Sequence, residues 1–190
     1  MSERSPSGGS EAARNWWQRT CSMEKGSPEV RAKLRRCHGR VDAAMLPQAL
    51  MLGKMLVPDV GGDGEGKGFG TALDLARVLA HVKSDQREMP MRAVGWKRFP
   101  TGSGDDERPV LSELRFKRLL QATDGEARVE GFIRLLAIMD GTANVAEITR
   151  AFRGWGHPDG YMQKQWAFTY YNAANYAPDA VTEHPSEETT

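Results

Sequence analysis

Cysteine is scarce in this chain: Cys21 and Cys37 are the only two in 190 residues. Two thiols make no disulfide framework, so a secreted scaffold is not expected. Cys21, Cys37 and His38 have the spacing of no compact zinc module, and a thiol on an apolar helix face behaves as a small hydrophobe. Long apolar runs are missing too, so nothing approaches membrane-spanning length. Residues 1–10 lack the apolar core of a signal peptide. These absences together predict a cytoplasmic chain with no membrane partner. Hydrophobic residues make up 39% of the sequence, which allows a modest core. No stretch alternates apolar and polar residues as a half-buried strand would, and no segment repeats.

Catalytic signatures are equally thin. Gly61-Gly62-Asp63-Gly64-Glu65-Gly66-Lys67-Gly68 comes near a phosphate-binding loop, but Gly68 stands where a Ser or Thr is needed and no strand precedes it. Asp63 and Glu65 would also repel a phosphate, so a linker is the better reading. His81 lies beside an apolar helical stripe, and His157 sits in the turn sequence Gly156-His157-Pro158-Asp159-Gly160. Neither has the sequence context of a catalytic pair. A dispersed hydrolytic site would need one of them beside a carboxylate in a pocket. No enzyme activity and no cofactor are expected.

Helical periodicity is abundant. A first helix over residues 11–25 carries Trp16 and Trp17. Ser27, Pro28 and Glu29 then form a helix start: an N-cap, a proline suited to the first turn and an acid that complements the dipole. Val30, Leu34, Cys37 and Val41 share one face of a continuous helix in this reading. Residues 43–57 read as a helix interrupted near Pro47, and 61–70, with six glycines, as a mobile loop. Leu75, Val78, Leu79 and Val82 mark the next helix, and a short one is expected over residues 92–98. Three patterns follow: Phe116/Leu119/Leu120, then Val129/Phe132/Ile133/Leu136/Met139, then Val145/Ile148/Phe152. Finally Met162, Trp166 and Tyr170, four apart, stack into an aromatic stripe that leaves Lys164 and Gln165 outside it. The expected class is all-α, as two small helical lobes. Residues 1–10 and 177–190 are tails, 11–100 the N-terminal lobe, 101–110 a linker and 111–176 the C-terminal lobe.

Net charge is +1, yet its distribution is uneven. Residues 14–40 carry eight basic side chains against two acidic ones, whereas 177–190 carry four acids and no Lys or Arg. Arg31, Lys33, Arg35, Arg36 and Arg40 crowd into ten positions, and such like charges are relieved by a polyanion. Arg115 and Arg118 lie three apart on one helix, with Lys117 nearby, and Arg134 lies opposite the apolar centre of its own helix. Phosphate-backbone contact without base readout is the chemistry these residues suit. No helix-turn-helix, zinc-finger or RNA-recognition signature accompanies them. A free-standing helical adaptor with an acidic protein partner is the alternative reading.

Four features also occur in a familiar order. They are Trp16-Trp17 followed by Lys33-Leu34-Arg35-Arg36, then Ser112-Glu113-Leu114-Arg115-Phe116-Lys117-Arg118-Leu119-Leu120, then Phe132-Ile133-Arg134-Leu135-Leu136, and last Trp155 with Gln163-Lys164-Gln165-Trp166-Ala167 and Tyr170-Tyr171. Over roughly residues 14–173 the chain resembles the CasB-type small subunit of the type I-E CRISPR surveillance complex, Cascade. That resemblance implies a noncatalytic all-α protein, present as two stacked copies. It implies contacts with backbone and large subunits and with crRNA, and a hold on the displaced strand of target DNA. By motif position Arg36, Arg115 and Arg134 would face nucleic acid, and Arg35, Lys97, Arg98, Arg118 and Lys164 join them by charge and neighbourhood. The chain departs from the family in its glycine loop and over residues 84–110, where the usual segment survives loosely as Val94-Gly95-Trp96-Lys97-Arg98-Phe99.

Overall fold

Helix α1 (Ser7–Thr20) starts the fold, and its two tryptophans anchor it. The structure, a computed structural model, describes residues 7–57, 68–100, 102 and 107–175. Trp16 and Trp17 are buried, and each indole N–H reaches a backbone carbonyl, of Gln48 (2.8 Å) and Val82 (3.3 Å) respectively. Each bond offsets the cost of taking an indole N–H out of water. The helix begins inside the stretch expected to be a tail and ends short of residue 25.

The next helix, α2 (Pro28–Arg35), opens as the sequence suggests: Ser27 Oγ accepts from the Val30 N–H at 3.3 Å. It does not run on to Val41. Arg36 caps it, an extended Gly39 follows, and α3 (Arg40–Ala44) starts afresh. Leu34 is therefore buried, but Val41 is 79% exposed and belongs to no seam. Pro47 opens α4 (Pro47–Leu56) at its first turn, where a missing N–H costs nothing.

At the centre lies α5 (Phe69–Leu79), buried along Ala72 to Leu79 and packed by α2, α3, α4 and, from further along the chain, α8 (Gly125–Ile138) and α9 (Val145–Gly154). Gly68, at φ +92°, turns the chain into this helix, so Gly68 to Gly70 belong to its start rather than to the expected loop. The rest of that glycine segment, 61–67, lies outside the described residues, as do 1–6, most of 101–106 and 176–190.

After α5 the chain makes a feature that alternation could not announce. Two-residue strands β1 (Ser84–Asp85) and β2 (Thr142–Ala143) pair in parallel. Asp85 uses both oxygens: Oδ2 accepts from Arg14 Nε (2.5 Å), and Oδ1 accepts from the Val145 N–H (3.0 Å), tying α1 to the start of α9. The class is nonetheless all-α. A short α6 (Pro90–Val94) stops before Lys97, earlier than the 92–98 expected, because Gly95 leaves the helix to pack against the backbone of Tyr170.

The helices α7 (Glu113–Gln121) and α10 (Tyr161–Tyr170) complete the set. Met162, Trp166 and Tyr170 are fully buried, as their spacing predicts. Trp166 meets Trp155 (4.9 Å, 72°) and Phe132 (5.5 Å), and Phe132 meets Phe152 (5.1 Å, 81°). Edge-to-face pairs of this kind add about 0.5–1.5 kcal/mol each beyond the area they bury. Buried residues from both sides of 101–110 fall in one hydrophobic cluster.

Candidate nucleic-acid interface

The aromatic stripe of α10 also sets the position of α7. Tyr170 stacks on Phe116 (3.9 Å, 15°), and its hydroxyl donates to the Leu111 carbonyl at 2.6 Å. With Phe116 held inward, its neighbours Arg115 and Arg118 are turned out to solvent on α7. Across from them α8 buries Val129, Phe132, Leu135 and Leu136 and exposes Arg134. Gly131 lets the two helices approach, since a Cβ there would sit 3.1 Å from Leu119 Cδ1.

Between α7 and α8 lies a groove of about 750 Å³. Arg115, Arg118 and Arg134, three residues selected from the sequence, line it together. Glu130 is the one carboxylate on its lining, and Arg134 Nη2 donates to it at 2.6 Å. Among the described residues no acidic side chain pairs with Arg115 or Arg118. Arg134 is thus exposed, as its place on the helix predicts, but shares its charge with a neighbour one turn back. That partner was readable in the sequence as an acid four residues before a base, and the reading overlooked it.

The other selected residues lie elsewhere. Arg35 and Arg36 are exposed at the C-terminal end of α2, and no ion pair holds either one among the described residues. Lys97 and Arg98 are exposed in the segment after α6. That segment is clamped to the end of α10: the backbone N–H of Trp96 donates to the Tyr170 carbonyl (2.7 Å), and Asn172 Nδ2 donates to the Lys97 carbonyl (2.7 Å). Gly95 makes this possible, because a Cβ there would lie 2.5 Å from the carbonyl oxygens of both Met91 and Tyr170. Lys164 is exposed on α10, off the aromatic stripe.

The basic run 31–40 is divided by use. Lys33 pairs with Glu29 (2.7 Å), Arg31 Nη1 contacts the Met23 sulfur, and Arg40, half exposed, is turned onto a buried carboxylate. Arg40 bonds Asp74, whose side chain is 2% exposed, through both Nε and Nη2 at 2.8 Å. Arg77, also buried, forms a two-point bond with Glu126 (2.8 and 2.9 Å) and donates to the Cys37 carbonyl (3.2 Å). The Glu126 carboxyl is held below its ordinary range chiefly by the hydrogen bond from Arg77. A second cavity of about 510 Å³ lies here, with Arg40 facing three carboxylates, Asp42, Asp74 and Glu126. A phosphate would be repelled there. Arg77 and Arg128 are two buried guanidiniums that the sequence reading did not single out. Arg128 stacks over Phe152 at 4.6 Å, and burial lowers its pKa.

Cys21, Cys37, His81 and His157 stand outside the two cavities, whereas His38 lines the second one. Burial pushes the Cys21 thiol up to about 12, and Cys37 is raised by the same cause. Among the described residues no cluster of His, Cys, Asp and Glu has the makings of a metal site. His81 lines neither cavity, and its charged neighbours are Arg35 and Arg77. His157 is exposed, 3.5 Å from the exposed Asp159, and outside both cavities. No described helix is long and apolar enough to cross a membrane. The family model of CRISPR-associated protein Cse2 matches residues 30–171. No curated protein and no solved structure matches the chain.

Proposed function

The chain belongs to the CRISPR-associated Cse2 family, and from its place as a subunit of the type I-E Cascade complex we propose that it is a noncatalytic clamp on nucleic-acid backbones. Its partners in this reading are the backbone and large subunits, a second copy of itself, crRNA and the displaced strand of target DNA, all in the cytoplasm. Convergence carries the reading. Three arginines chosen for their sequence positions line one groove, and two of them have no acidic partner among the described residues. Arg35 and Arg36 offer a second basic point at the end of α2, Lys97 and Arg98 a third beside the end of α10, and Lys164 a single charge near the start of that helix.

Energetics favour so modest a device. The heteroduplex formed in an R-loop is about as stable as the DNA duplex it replaces, so a few backbone contacts to the displaced strand tip the exchange. Such contacts need fixed positive charge and no base code.

Salt titration of a labelled single strand on the full chain tests this. The Arg115→Gln/Arg118→Gln/Arg134→Gln variant should lower the slope of log affinity against log salt by roughly 2, at about 0.7 per lost contact. An unchanged slope would remove these arginines from the interface. No binding by the parent even at low salt would favour the adaptor reading, with an acidic protein on the same basic surface.

A further inference from the structure

A phosphate contact needs charge at a surface, and the groove between α7 and α8 has more than that. Its arginines rim a recess with apolar walls: Leu119 and Ala122 on one side, Gly131, Leu135 and Ile138 on the other. Leu119 and Leu135 are 4% and 1% exposed and close its floor. Its volume, about 750 Å³, falls in the range of small-ligand pockets, about 300–1,000 Å³.

We propose that this recess seats an unstacked nucleobase of a single-stranded nucleic acid, with Arg115 and Arg118 on the flanking phosphates. The inference rests on the backbone-clamp reading above and narrows its substrate class. In a duplex the bases are stacked and paired inside, so a double strand could offer the groove only phosphates. A single strand can turn a base into apolar walls while its phosphates meet the rim. Arg115 and Arg118, one turn apart, have Cβ atoms about 5–6 Å from each other, which lets both serve the same short stretch of strand. Apart from the charged groups, the one hydrogen-bonding side chain on the lining is Gln121, so the base is gripped by its faces and its identity matters little. An acidic amphipathic peptide would also suit the arginines. It would have to set its carboxylates against Glu130, which a neutral base does not.

The test compares two labelled strands of equal length and phosphate count on the full chain, oligothymidine and its fully abasic counterpart. The abasic strand should bind about tenfold more weakly, the order expected for burying part of one base. Ala122→Trp, which fills the recess, should bring oligothymidine down to the abasic level and leave the abasic strand unaffected. Equal binding of both strands by the parent overturns the base site and leaves the backbone clamp standing. Binding of neither strand, with an acidic amphipathic peptide bound instead, overturns both.

Discussion

His81 shows how one side chain's surroundings become a property of the whole protein. It is half-buried just past α5, and burial, reinforced by the cations Arg35 and Arg77, pushes its pKa from an ordinary 6.5 to about 4. The unfolded chain therefore takes up a proton near pH 6.5 that the folded chain refuses until about pH 4. The contribution of His81 to stability is complete above pH 6.5 and is lost as pH falls through that window. Glu126, held low by Arg77, adds its own loss only below the ordinary carboxylate range near 4.5. Urea midpoints measured across pH 6.5 to 4 should fall for the parent and stay flatter for His81→Gln. Parallel curves would place the acid sensitivity in other groups.

At the level of elements, Asp74, Arg40, Arg77 and Glu126 brace α3, α5 and α8 against one another. Asp74 is the buried member, and removing it strips Arg40 of its bonded acceptor and leaves Arg77 with Glu126 alone. Asp74→Ala should cost about 3 kcal/mol, the low end for breaking a buried pair because Arg40 is half exposed. Glu29→Ala, which removes the exposed Lys33 pair and the acid of the first turn of α2, should move the denaturation midpoint far less. Equal effects from both would mean that Asp74 is not a brace.

The same network marks the limit of what the sequence discloses. The helix start at Ser27 and the stripe Met162, Trp166, Tyr170 were legible because capping and fourfold spacing are local properties, and so was the exposure of Arg115, Arg118 and Arg134. The fate of Arg40 was not, because its partner Asp74 lies 34 residues away. A two-residue strand pair holds too few positions to alternate, and Val41 was misplaced because a helical face was projected through Gly39. The groove itself belongs to no single segment: it exists because Tyr170 fixes Phe116 and Gly131 admits α7.

For the whole molecule, the expected division into lobes at 101–110 bears on cooperativity. We propose that the lobes are stretches of chain order with a shared core, since α1 packs on α9 and α5 on α8 and α9. Thermal unfolding followed by tryptophan fluorescence and far-ultraviolet dichroism should then give one coincident transition. Two separated transitions would make the lobes independent units.

The central claim, a basic clamp that holds a displaced strand, is tested most directly in the assembled complex. Cascade carrying Arg36→Glu/Arg115→Glu/Arg134→Glu should assemble with its RNA and find target, while its R-loop dissociates at least about tenfold faster in moderate salt. An R-loop lifetime equal to that of the parent complex would contradict the account.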